Sequence, residues 1–154
     1  MKQKKTSHLR EVWLDEAVTY WLDYMEEKGF LKKGLRRPEV RVSPGLPYGG
    51  KKAYLTVAGE CYSSAVSDDH KCQIFINPRL SDSYDVLGTL LHELLHSVLG
   101  SQIDHGPTFA KAANHLGLIG PAAYHGSVTG ELQEKMQNFI ATMGPYPHAA
   151  LRIE

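Results

Sequence analysis

The sequence predicts an α+β domain: a small antiparallel sheet packed against a central helix, with an N-terminal amphipathic helix beside them. Three observations lead there. The chain has 154 residues, within the roughly 100–200 residues of a single domain, so residues 1–154 are read as one unit. Two short apolar runs, Ala53–Ala58 and Cys72–Ile76, read as strands, and no helix-length crossover separates them, which favours antiparallel pairing. From residue 81 onward the periodicity is helical.

In chain order, Leu9, Val12, Trp13, Ala17, Tyr20, Trp21, Tyr24 and Met25 recur at spacings of three and four, the mark of an amphipathic helix with a broad aromatic face. Ser7 is a candidate N-cap. Gly29 suits the position after the last turn, where a left-handed conformation is cheap for glycine. Residues 34–50 hold four glycines and three prolines and read as loop, with a short strand at Val40–Val42. The strand at Cys72–Ile76 ends at Asn77-Pro78, where proline removes a ladder donor. Ser81, Asp82 or Ser83 can cap a helix running to about Leu99, with Gly100 after it. Its apolar residues point nearly all round (Val86, Leu87, Leu90, Leu91, Leu94, Leu95, Val98, Leu99), so it should be central and buried. A short helix starts at Pro107, a favoured first-turn residue, and stops near Gly117. A loop at 120–126 leads to a last helix, Glu131–Met143, ended by Gly144-Pro145.

Composition narrows the function classes. Apolar residues make up 42% and charged residues 22%, which excludes wholesale disorder. No run approaches the ~18 apolar residues of a membrane span. The basic start, Met1 to Lys5, is followed by His8, Arg10, Glu11 and Asp15 where a secretory signal would place an apolar stretch. Two cysteines, Cys61 and Cys72, are too few for a disulfide scaffold, and a reducing, cytoplasmic location is the expectation. Net charge is zero, but residues 1–52 carry 12 Lys/Arg against 7 Asp/Glu, a net of +5, and the remainder carries −5. The segment 28–52 is therefore a candidate for weak DNA contact; the alternative is a solvated loop.

The chemistry concentrates in His92-Glu93-Leu94-Leu95-His96. Residues four apart share a helix face, so both imidazoles can reach one metal ion, and Glu93 is rotated off that axis but can lean over an open coordination position. This is the H-E-x-x-H arrangement of zinc hydrolases. Two histidines and a carboxylate in a leucine-rich helix would cost several kcal/mol to bury unpartnered, and a metal supplies the partner. Catalytic zinc keeps three protein ligands. His105, on the turn between Gly100 and Pro107, is the leading third ligand; His115, His125, Glu131 and Glu134 are the alternatives. Asp104 is a candidate acceptor for a ligand N–H. The metzincin spacing fails, since position 102 is Gln102. A cysteine-nucleophile enzyme is a weaker reading, and Cys61 and Cys72 are read as ordinary buried thiols.

The run Gln73–Leu80 (QIFINPRL), then His92–His96 (HELLH), then His105–Phe109 (HGPTF) resembles the SprT/Spartan family of zinc metallopeptidases. The likeness covers about residues 53–151, and the tail Gly144–Leu151 (GPYPHAAL) resembles that of small members carried by bacteriophage genomes. The resemblance implies a zincin-like core, Zn²⁺ held by His92, His96 and His105, Glu93 as the catalytic glutamate, and Phe109 packed behind the third ligand. It implies hydrolysis of peptide bonds in a protein or peptide substrate by a Glu-activated, zinc-bound water, on DNA-associated proteins in particular. Many family members carry a cysteine-rich zinc ribbon after the core, and this sequence has no cysteine past Cys72. Tyr124 or His125 are candidate oxyanion donors. A rival reading, from a different class, is a DNA-associated regulatory or binding protein whose zinc is structural; a metallohydrolase of non-peptide amides is a third.

Overall fold

The computed structural model describes residues 9–100, 104–121 and 126–153. Five α-helices, a three-stranded sheet and a two-stranded ribbon make up the described residues, an α+β arrangement. No helix among them is long and apolar enough to cross a membrane.

Helix α1 (Arg10–Glu27) buries Trp13, Leu14, Ala17, Val18, Trp21, Leu22, Tyr24 and Met25. The aromatic face is present, but the buried stripe is turned toward Leu14, Val18 and Leu22, and Leu9 and Val12 stay exposed. The reason is that α1 packs on both the sheet and the central helix, so two adjacent faces are covered instead of one. Gly29 takes the left-handed conformation (φ 86°). Ser7 lies outside the described residues.

Strands β1 (Val40–Pro44), β2 (Gly59–Tyr62) and β3 (Cys72–Ile76) form the sheet in the order β1-β3-β2. β2 pairs antiparallel with β3, but β1 runs parallel to it, Val42 opposite Ile74. The sheet is therefore mixed, not the expected antiparallel one. The difference traces to Ala53–Ala58, read as a strand: residues Gly50–Thr56 are helix α2, which supplies part of a crossover between the parallel strands. A short apolar run does not by itself separate strand from helix. Here tertiary bonds decide. The Asn77 side-chain amide donates to the carbonyls of Tyr54 and Val57, 2.8 Å each, satisfying groups at the end of α2 that a helix leaves open. The Asn77 backbone N–H donates to Ala58 O at 2.9 Å.

Helix α3 (Ser83–Leu99) lies across the sheet. Asp82 caps it, its carboxylate accepting from the Asp85 N–H at 3.0 Å. Gly100 ends it at φ 105°. Val86, Leu87, Leu90, Leu91, Leu94 and Leu95 are fully buried, against Val42, Ile74 and Ile76 of the sheet and the aromatic face of α1. Helix α4 (Pro107–Leu116) follows, then ribbon strands β4 (Leu118–Ile119) and β5 (Ser127–Val128), and helix α5 (Gly130–Met143), capped by Thr129. Beyond α5, the chain crosses back over the molecule. The Trp13 indole donates to Gly144 O, the Tyr146 N–H to Ser83 Oγ, and the Leu151 N–H to Pro78 O. His148 bonds Pro78 O through Nε2 (2.7 Å) and Arg10 through Nδ1 (2.8 Å). Since the carbonyl must accept and the guanidinium must donate, His148 is held as the Nε2–H tautomer.

Asn77 is 1% exposed, and truncating it takes the side-chain donor from Val57 O and leaves Tyr54 O with the Arg79 Nε–H alone. Asn77→Ala is expected to lower unfolding free energy by about 2–3 kcal/mol, measured by urea denaturation. A loss under about 0.5 kcal/mol would mean that water replaces the amide.

Candidate metal centre

Three imidazoles converge where α3 meets the turn before α4. His92 and His96 stand one turn apart on α3. His105 reaches back from a turn shaped by Asp104, whose carboxylate accepts the Gly106 N–H at 2.9 Å. Asp104 thus sets the loop geometry, and its Oδ1 is engaged by backbone. The Nε2 of His105 stands 3.1 Å from the Nε2 of His92 and 3.1 Å from that of His96. A neutral ring nitrogen carries one hydrogen or one lone pair, so this single atom cannot complete both contacts as hydrogen bonds. Three lone pairs aimed at a common cation can. Two nitrogens, each about 2.0–2.1 Å from a tetrahedral ion, lie roughly 3.3–3.4 Å apart, close to the spacing seen. The three residues can hold a metal ion, and among the described residues the ligand group stops at these three.

Phe109 fixes the imidazoles from behind. It is fully buried, stacks on His96 (centroids 4.3 Å apart, planes 23°) and meets His92 and His105 edge-on at 4.8 and 5.1 Å. One ring from the first turn of α4 therefore touches all three ligands. Phe109→Leu, which keeps an apolar filler, is expected to weaken metal affinity by roughly 10–100-fold, the size of effect that lost support behind ligands has elsewhere. Competition with a chromophoric chelator measures it, and unchanged affinity would show that the ligands are held without the ring.

Glu93 is 7% exposed and faces β2. A Cβ on Gly59 would lie 2.7 Å from Thr89 Cγ2 and 3.2 Å from Glu93 Cγ, so the strand comes this near because position 59 has no side chain. Burial, with repulsion from the Glu60 carboxylate added, pushes the Glu93 carboxyl up to about 8; a bound dication would favour the ionised form again. In metal-free protein, the unfolded chain releases this proton near 4.5 while the fold keeps it to about 8. Between those values the unfolded state binds fewer protons, so the group's contribution to stability declines as pH rises. After chelation, Glu93→Gln should melt above the parent at pH 8, with the gap shrinking toward pH 4.5 in thermal melts. A gap independent of pH would contradict the burial argument.

A cleft of about 680 Å³ opens over these residues. Its floor is α3. One wall is the chain from Thr56 to Gly59, and the other is the β4–β5 ribbon with Met136 of α5. The remaining candidates are placed elsewhere. His115 Nε2 meets Lys28 O at 3.0 Å, Glu131 pairs with Lys28 and accepts from the Tyr24 hydroxyl, and Glu134 is exposed on α5. Tyr124, His125 and Gln102 lie outside the described residues. Cys61 and Cys72 are free and half-buried, and burial holds the Cys61 thiol up at about 12, far from thiolate chemistry.

The sequence reading overlooked the wall at 56–59, Met136 and Asp85. A signal existed for the last: Asp85, Thr89, His92 and His96 form a polar stripe at spacings of four, three and four on a leucine helix. In the basic segment, Lys28, Arg36, Arg37 and Arg41 are ion-paired with Glu131, Glu39, Asp23 and Glu26, and Asp69. Of its aromatic neighbours Tyr54 is buried, Phe30 packs on His115, and Tyr48 alone is fully exposed. Compared with known proteins, the chain matches no family model, no curated protein and no solved structure.

Proposed function

We propose that this chain is a zinc metallopeptidase of the SprT/Spartan type, with a zincin-like core built from the sheet and α3. The observation that carries the reading is the convergence of three imidazole nitrogens at a cleft, with a buried carboxylate one residue away on the same helix. A donor set of three imidazoles suits Zn²⁺, and three ligands are what catalytic sites use, where structural sites take four. That count favours catalysis over a DNA-associated regulatory protein with a structural zinc. When bound, the metal supplies Lewis-acid polarisation of a carbonyl and a water.

The chain's own residues supply the rest. Glu93 accepts a proton from the attacking water and returns it to the leaving amine. Its apolar surroundings raise its basicity, so that it gives up the proton only to a group of comparable demand. The wall at Thr56–Gly59 leads into β2, an edge strand in the order β1-β3-β2. Its unpaired backbone groups can align an extended polypeptide across the cleft. Phe109 holds the imidazoles rigid through the reaction. The substrates this reading favours are unfolded or extended proteins, DNA-associated ones among them. The DNA contact through residues 28–52 belongs to the same proposal, reduced to Lys32, Lys33, Lys51 and Lys52, the four basic residues of that segment that form no ion pair with another described residue.

Glu93→Gln keeps the shape and removes the base. The zinc-loaded variant is expected to retain one metal per chain and to lose about 10²–10⁴ in the rate of cleaving an unfolded protein such as casein. Metal analysis and gel-based cleavage read the two outcomes. Undiminished cleavage would remove Glu93 from the chemistry, and absence of cleavage by the zinc-loaded parent would remove the peptidase reading.

A further inference from the structure

We propose that the end of the cleft farthest from His105 binds a cationic side chain of the substrate, with the Asp85 carboxylate as its counter-ion. The proposal rests on the peptidase reading and names the kind of polypeptide that site takes.

Asp85 lines the cleft from the first turn of α3. It lies seven residues, two helical turns, before His92, which puts it about 10 Å along the floor from the imidazoles. No described residue offers its side chain a hydrogen bond or an ion pair; its backbone N–H donates to the Asp82 carboxylate. The nearest cation, Arg79, is committed through Nε to Tyr54 O at 3.0 Å and is not part of the lining. Among the described lining residues there is no Lys or Arg at all, so Asp85 gives this end of the cleft a net negative charge, while a bound dication would make the other end positive. A substrate cation is therefore drawn to the Asp85 end and repelled from the metal end.

The floor between the two ends suits a long side chain. Gly88 has no side chain, and a Cβ there would be 3.6 Å from Met136 Cε, ordinary contact distance. Leu80, Tyr84 and Met136 flank the same stretch. The methylene stem of a lysine or arginine can lie on these apolar groups with its charge at Asp85. An extended peptide advances about 3.3–3.4 Å per residue, so 10 Å corresponds to the third residue from the bond held at Glu93, or the second if the cationic side chain leans along the strand.

The test uses quenched fluorescent peptides of alanine, serine and glycine with a single Lys, norleucine or Glu moved along the sequence. Cleavage by zinc-loaded protein is measured together with equilibrium binding to zinc-loaded Glu93→Gln protein by fluorescence anisotropy. Lysine two or three residues from the cleaved bond is expected to be preferred over norleucine by roughly threefold to tenfold in both readouts, the range for a partly exposed ion pair. Asp85→Asn should erase that preference, Asp85→Glu should retain it, and Asp85→Lys should transfer it to the Glu peptide. The transfer of preference to the Glu peptide in Asp85→Lys is what a mere loss of helix-end charge would not produce. Cleavage without any charge preference, or a preference that survives Asp85→Asn, overturns the subsite and leaves the peptidase intact. Binding with the lysine preference but no cleavage overturns the peptidase and leaves the subsite. Neither binding nor cleavage overturns both.

Discussion

A helix that is leucine on nearly every side cannot hold two imidazoles and a carboxylate without giving them partners. Most of this structure can be read as the answer to that constraint. His92 and Glu93 are 8% and 7% exposed, and an unsatisfied polar group at such a depth costs several kcal/mol. His105 meets the first two imidazoles from a position held by the Asp104–Gly106 bond. Phe109, from the turn after it, closes the back of the cluster. The three Nε2 atoms thereby converge on one point. Glu93 is treated differently: no described side chain reaches out to it, and β2 is brought so near, at Gly59, that water is largely excluded.

Rigidity behind the site comes from aromatic packing. Trp21 donates to Leu87 O at 3.0 Å, and Tyr24 donates to Leu116 O at 2.7 Å, so α1 is bonded to the helices that bear the first two ligands and Phe109. Such bonds fix the angle between helices where dispersion alone would allow sliding. The sheet contributes from the opposite side. Asn77, at the end of β3, binds the carbonyls that end α2 and so places the wall from Thr56 to Gly59 beside Glu93. The cleft is therefore defined by backbone hydrogen bonds on one wall and by a short ribbon on the other.

What could be read in the sequence divides along physical lines. The helices other than α2 were legible because capping and periodicity are local: Asp82, Gly100, Pro107, Gly117 and Gly144 fall where the chain starts and stops its turns. The imidazole cluster was legible because a spacing of four puts His92 and His96 on one helix face and His105 follows the helix within nine residues, and Phe109 came with the resemblance. The sheet was less so. Ala53–Ala58 carries no period that separates helix from strand, and its state is decided by Asn77, about twenty residues on. The direction of β1 followed from the same misreading, since parallel pairing needs the crossover that α2 helps to provide. The basic segment misled in the opposite way. Its basic residues are close together in sequence, but Asp23, Glu26, Asp69 and Glu131, which pair with Lys28, Arg37 and Arg41, are distant or on other elements, and charge pairing across a fold leaves no local trace; the Arg36–Glu39 pair, three residues apart, is the local exception.

The last ten or so described residues have an effect out of proportion to their lack of regular structure. Between Gly144 and Ile153 the chain bonds, in turn, the indole of α1, the hydroxyl of Ser83 in the first turn of α3, the carbonyl of Pro78 twice, and the Tyr54 hydroxyl of α2. Elements that would otherwise open one at a time are laced into a single cooperative unit. The amide hydrogens of Tyr146 and Leu151, although they belong to no helix or strand, are thus tied to the same opening event as those of α3. In exchange with heavy water the strap and α3 should lose their protection together, as one body.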